Sequence, residues 1–213
     1  ALGRGAAWQR TTPALLTGAS VDALRQAWAE PAFVERFGHF SQSVKNEFVR
    51  PVSGSLPLLR TSDYISRIRA TQRNLLLFTN NVEHPDFMGA LAPTYKDAVP
   101  EAVAGVDGFE VFSVGAAGSS HTMHHHGESW LLQVHGRKLW WFMEPGTPAP
   151  PRVNACSYIR SGAPKGSVTC LQQPGEVMVF PKRWLHATCM LDDWAVGVGA
   201  QAGRPSVPTE ALV

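Results

Sequence analysis

The apolar positions of this chain change their rhythm near residue 106. Before it they recur at helical spacing in short bursts. After it they alternate, or run together in short segments separated by Gly, Pro and Asp. Ser20 reads as an N-cap, with Val21, Leu24 and Trp28 on one helical face behind it. Pro31 opens a second short helix and Gly38 closes it, with Phe33, Val34 and Phe37 on one side. Residues 44–60 alternate weakly around Phe48 and Val49 and contain Pro51 and Pro57, the pattern of an edge strand and loop. Thr61 or Ser62 caps the next helix, whose buried stripe is Tyr64, Ile65 and Ile68. Asn74–Asn80 is too short for a buried helix and predicts a strand. Residues 85–104 predict short helical turns around Phe87, Leu91 and Tyr95.

From there the chain reads as β segments: 109–114, 121–126, 130–135, 138–143, 168–171, 176–180, 186–190 and 195–199. Residues 115–120 form a Gly/Ser bend, and 145–166 an exposed loop rich in Pro and Gly. Many short strands after N-terminal helices predict a mainly β fold, a sandwich or barrel. The expected organisation is one domain over 1–213. It has an N-terminal arm at 1–19, a helical and edge-strand region at 20–105, and a barrel core at 106–201.

Composition narrows the partners. With 44% hydrophobic and 17% charged residues a packed core is expected. A net charge of +2 gives no argument for nucleic acid or a charged membrane surface. No apolar run approaches the roughly 20 residues that span a bilayer. The chain begins at Ala1, which is compatible with a removed targeting peptide and an organelle or ER-lumen location. Cys156, Cys170 and Cys189 have no CxxC spacing, which argues against a zinc knuckle. A Cys156–Cys170 bridge and three reduced thiols both remain open at this point.

The candidate chemistry lies in one stretch, GSSHTMHHHGESWLLQVHGRK at 118–138. Four of the eight histidines fall within six residues there. In a regular strand side chains alternate, so His124 and His126 share one face and His125 takes the other. Two such imidazoles can chelate one metal, and His186 is the best third ligand. Neutral imidazole suits iron, zinc, copper, nickel or manganese. Three ligands from two distant segments leave open positions, the mark of a catalytic rather than a structural site.

The spacing of Gly118, His124 and His126 resembles the first half-motif of the cupin superfamily, and Gly175, Pro181 and His186 resemble most of the second. More narrowly, LLQVHGRKLWWFMEPG and PGEVMVFPKRWLHAT are similar to segments of the JmjC (jumonji-C) branch. SDYISRI, LLLFTN, DFMGAL and FEVFSVGAAGSSH upstream support this. The likeness covers roughly residues 30 to 201 and is strongest to small single-domain jumonji proteins of the ER-lumenal type. It implies a double-stranded β-helix, a jelly-roll barrel. It also implies an Fe(II)/2-oxoglutarate-dependent oxygenase, a hydroxylase of a protein or small molecule. His124, His126 and His186 would hold the metal and form the catalytic set. Lys138 would pair with the far carboxylate of 2-oxoglutarate, with Thr122 as a second contact. Ser129 and Gln201 match polar positions lining that pocket. Trp130, Trp140, Trp141 and Trp184 read as core and pocket wall.

One position departs from the pattern. Most catalytic JmjC proteins have His-x-Asp or His-x-Glu in the first strand, and here His126 stands where the carboxylate belongs. A slipped register would supply one, with His125 or His126 as first ligand and Glu128 as an alternative metal ligand. Two other readings stay open: a three-histidine cupin enzyme that does not use 2-oxoglutarate, and a weak or inactive structural subunit of a larger assembly.

Overall fold

Alternating side chains on a few strands organise the molecule into layers. The computed structural model describes residues 10–43, 58–71, 76–106 and 108–203. The first strands are β1 (Ala14–Leu16), β2 (Ser41–Ser43), β3 (Leu58–Arg60) and β4 (Leu76–Asn80). Next come β5 (Gly108–Gly115), β6 (Ser120–His124), β7 (Ser129–His135) and β8 (Lys138–Met143). The last are β9 (Val168–Gln172), β10 (Val177–Phe180), β11 (Leu185–Met190) and β12 (Ala195–Ala202). One sheet has the order β1-β10-β7-β12-β5-β4, the second β6-β11-β8-β9, and β2 pairs with β3. Every pairing is antiparallel. The fold is the mainly β jelly roll expected from the sequence.

Strand β8 shows the layering. Trp140 and Phe142 point between the sheets, where they pack with Phe109, Val111, Leu131, Met178 and Phe180. Trp141 and Met143 point out of the smaller sheet and pack with Met123, Leu185 and Cys189. The outer face of the larger sheet carries Phe112, Val114, Leu132 and Val198. Trp28, Phe33, Phe37, Tyr64 and Leu91 cover it from the helices. These are α1 (Asp22–Ala27), α2 (Glu30–Phe37), α3 (Thr61–Thr71) and α4 (Pro85–Tyr95). Phe33 stacks on Phe112 with ring centroids 5.4 Å apart. Burying such side chains contributes about 1.5–3 kcal/mol each, which compensates for the weak propensity of helices this short.

Several expectations need adjustment. The first helix is entered at Val21, not Ser20, and has no side-chain cap, although Val21, Leu24 and Trp28 are all buried as its pattern required. Residues 85–95 make one 11-residue helix rather than separate turns. Phe87, Met88, Leu91, Ala92 and Tyr95 form a continuous buried stripe, and Pro93 inside the last turn supplies no N–H to the helical ladder. The expected strand around Phe48 and Val49 lies outside the described residues. Residues 145–166 are less exposed than their composition suggests. The Asn154 side chain accepts from Cys156 N at 2.7 Å and starts a short turn, α5 (Tyr158–Ser161) follows, and Ala155 and Tyr158 are buried against the smaller sheet.

The disulfide joins Cys156 to Cys189, with Cα atoms 5.0 Å apart, and Cys170 is free. The Cys156–Cys170 pairing fails on strand parity. Cys170 is opposite the inward-facing Trp140 and packs toward the interior. Cys189 faces outward, under the 145–166 loop.

Candidate metal centre

Antiparallel pairing of β6 with β11 sets the site, because it places His186 directly opposite His124. His126 follows just beyond the end of β6. Its carbonyl accepts the backbone N–H of Arg183 at 2.9 Å, which ties the β6–β7 turn to the β10–β11 turn. Gly127 is needed there: a Cβ would run into the carbonyl oxygen of Ala202. Arg183 has a left-handed φ of 69°, uncommon for a residue with a side chain.

One ring nitrogen from each of His124, His126 and His186 lies within 4.8 Å of the other two. The opposite nitrogens are all engaged. His124 Nδ1 contacts the Thr122 carbonyl at 2.7 Å, His126 Nδ1 the Gly127 carbonyl at 2.9 Å, and His186 Nδ1 the Trp184 carbonyl at 2.9 Å. A carbonyl oxygen can only accept, so each Nδ1 carries the hydrogen. That leaves three Nε2 lone pairs converging on one point, the tautomer arrangement that metal-ligating histidines need. Burial pushes His126 down to about 4, and burial together with the neighbouring histidines holds His186 well below its usual value. Both rings are therefore neutral near pH 7.

The other expected residues fall around this cluster. Ser129 Oγ lies 3.1 Å from His126 Nδ1 and donates to the Gly127 carbonyl at 3.2 Å, so it orients His126. Gln201 is half-buried on β12, opposite Ser129. Glu128 is turned toward Arg10, with a 3.2 Å ion pair, and is not part of the convergent cluster. His125 is exposed. Lys138 is buried between the sheets, only 3% exposed. Its Nζ donates to Ser113 Oγ at 3.2 Å and stands 5.6 Å from the Trp140 ring centre. Burial alone pushes its pKa down to about 7. The turn preceding it is fixed by Arg137, which pairs with Asp192 at 2.7 Å.

Sequence reasoning missed two features. Phe180 packs its ring centroid 4.5 Å from that of His186 and 5.5 Å from that of His126, forming an aromatic wall with Trp140 and Phe142. The end of an apolar strand beside Pro181 could have indicated it. The second is His121, whose ring centroid lies 5.0 Å from that of His124. Three-residue spacing puts the two on opposite faces of a regular strand. The pairing is irregular, however: His186 opposes His124 and Thr188 opposes His121. Two steps on β11 match three on β6, so β6 contains a bulge between His121 and His124, and no sequence signal announces it.

The geometry of three converging imidazoles on a jelly roll can be set beside known proteins. No family model matches the chain. Over 89 residues it is 34% identical to JmjC domain-containing protein 8 of Homo sapiens, covering 38% of this chain and 33% of the relative. The Mus musculus protein of the same name matches at 34% and that of Rattus norvegicus at 35%, over the same shares. The chain therefore spans about a third of the length of the curated relatives it matches. A three-histidine cluster, a double-sheet β fold and these partial matches together support a relationship of this chain to JmjC proteins of the cupin superfamily.

Proposed function

We propose that the chain is a JmjC-type oxygenase whose iron(II) is held by His124, His126 and His186 and whose cosubstrate is 2-oxoglutarate. The observation that carries this reading is the convergence of three lone pairs, each aimed by a backbone carbonyl on the far side of its ring. Neutral imidazoles fit a divalent first-row metal. Lys138 fits the acid. Among the described residues it has no carboxylate partner, and a buried cation without one favours an anionic ligand.

Bound iron(II) would supply the open coordination positions at which oxygen and the 2-oxo acid react, giving succinate, carbon dioxide and a hydroxylated product. The chain's own residues do the rest. Ser129 and the carbonyls of Thr122, Gly127 and Trp184 fix the rings. Lys138 and Ser113 hold the far carboxylate, and Phe180, Trp140 and Phe142 keep water from the inner face. A substrate polypeptide or small molecule would approach from the end that carries His125 and Arg183.

A second reading is a three-histidine cupin without 2-oxoglutarate turnover, catalytic or structural. Phe180 favours it by crowding the inner side of His186. So does His126, which leaves the centre one positive charge richer than a carboxylate would. The test is metal analysis of the purified protein, then titration of 2-oxoglutarate into the metal-loaded form and assay of succinate release. Metal bound at one equivalent, with acid binding that depends on Lys138, supports the oxygenase. Metal without acid binding supports the second reading.

A further inference from the structure

We infer that residues 147–153 form a preorganised polyproline II ridge that docks in the groove of a partner protein, a groove lined with aromatic rings and flanked by carboxylates. The inference is independent of the oxygenase reading. The stretch reads Thr147, Pro148, Ala149, Pro150, Pro151, Arg152, Val153. Proline rings fix φ at about −65° at Pro148, Pro150 and Pro151. A residue before proline is driven out of the helical region into extended backbone, which covers Thr147, Ala149 and Pro150. Every residue from 147 to 151 is therefore confined to polyproline II geometry by its own chemistry or its neighbour's. That helix has about three residues per turn and no internal hydrogen bonds. Both signatures are present. Thr147, Pro150 and Val153 are half-buried, whereas Pro148, Ala149, Pro151 and Arg152 are exposed, which is the polyproline II period and not the alternation of a strand. Among the described residues none makes a hydrogen bond or ion pair with 148–153.

One edge of this three-sided helix rests on the protein, with Val153 packed against the outer cluster of the smaller sheet. The other edges are free: Pro148 with Pro151, and Ala149 with Arg152. Both ends are tied down. Thr147 donates its N–H to the Glu144 carbonyl at 3.1 Å, just after β8. Beyond Val153, the Asn154 side chain donates to the Gly118 carbonyl at 3.3 Å, Ala155 is buried, and Cys156 is bonded to Cys189. A segment already held in its bound conformation loses little entropy on docking. Grooves that recognise such helices seat the proline ridge between aromatic rings. At a rise of about 3.1 Å per residue, Pro148 and Pro151 stand roughly 9 Å apart, one turn, and fit neighbouring slots of such a groove. Charge then selects the flank. From 145 to 175 the chain carries Arg152, Arg160 and Lys165 and no Asp or Glu. These cations are all exposed, and Arg152 ends the ridge itself, so the complementary groove carries carboxylates beside its aromatic slots.

The experiment titrates the unlabelled full chain into an isotope-labelled SH3 domain with an acidic groove flank, followed by NMR of the domain. Saturable shifts confined to the aromatic and acidic residues of its groove are expected. Changing Pro148→Ala together with Pro151→Ala should weaken binding at least about tenfold, and Arg152→Glu by a similar factor. Both variants should melt close to the parent, because the altered side chains are exposed and hold no partner. Should the proline variant fail to fold, Arg152→Glu and Arg152→Lys carry the test, with Lys keeping most of the affinity that Glu loses. Pro164→Ala, in the same loop but off the ridge, should change affinity by less than about twofold. A parent that shifts no groove resonance overturns the inference. So does affinity that falls in Arg152→Glu but survives the double proline change, since the loop would then be a cationic patch for any acidic surface. Equal weakening by Pro164→Ala also overturns it, because the ridge would have no part of its own in the contact.

Discussion

Replacing Lys138 by Met should make the protein more stable and abolish cosubstrate binding. Lys138 is 3% exposed, and burial lowers its pKa from 10.5 to about 7. An unfolded chain keeps this proton up to the ordinary lysine value, whereas the folded chain releases it near 7. Between those values the unfolded state binds more protons, so stability rises with pH across the window. The gap is 10.5 − 7, roughly 3.5 units. At about 1.4 kcal/mol per unit, it amounts to a cost of about 5 kcal/mol below pH 7 that vanishes above pH 10.5. Lys138→Met removes that cost but leaves Ser113 without its donor, a loss of about 1 kcal/mol. A net gain of about 2–4 kcal/mol at pH 6.5 is expected, shrinking toward zero or below by pH 10. Urea denaturation of both proteins at pH 6.5, 8 and 9.5 measures it. Saturating 2-oxoglutarate at a hundred times its dissociation constant should add about 2.7 kcal/mol to the parent only. If the Met variant is less stable at pH 6.5, or the difference does not change with pH, Lys138 is not a buried charge awaiting an anion.

The remaining expectations concern ligands, register and covalent structure. His186→Ala should lose bound metal while Glu128→Ala keeps it, as read by elemental analysis; metal loss in Glu128→Ala would restore the slipped register. His126→Asp should raise succinate release without 2-oxoglutarate binding falling, because an anionic ligand offsets part of the metal charge; a silent variant would show that the extra positive charge at the centre does not limit turnover. Gly127→Ala should weaken metal binding, since its Cβ would displace the turn that carries His126 away from Ala202. The double variant Cys156→Ser with Cys189→Ser should lose about 3–4 kcal/mol by the loop-entropy relation for the 33-residue separation, with faster proteolysis between residues 145 and 166, while Cys170→Ser should be neutral.

Much of the barrel was legible because strand parity is a local property. The two ends of β8, Lys138 and Met143, could be read from alternation and from the turn before it. Both halves of the histidine set carried fixed spacings, so His124, His126 and His186 could be picked without coordinates. The convergence of their nitrogens could not, since it depends on β6–β11 register and on carbonyls two residues away from His124 and His186 and one residue from His126. The disulfide was misjudged for a related reason. The sequence left a Cys156–Cys170 bridge and three reduced thiols open, and the inward aim of the Cys170 strand position excludes that bridge. His121 was lost to the bulge, which reverses parity at one residue and leaves no mark in the pattern.

The carbonyl-locked tautomers have a consequence for metal selectivity. Three lone pairs pointed at one another repel when no cation lies between them, so the rings are held in place by the fold and not by the ion. Such a pre-set nest of neutral nitrogen donors lacks the hard oxygen that would favour iron or manganese. By the ordinary ranking of divalent ions it should take copper or nickel ahead of iron(II) whenever they are offered together. Iron occupancy would then be decided by which ion reaches the folding chain first, a matter of cellular supply and delivery and not of the pocket's own discrimination.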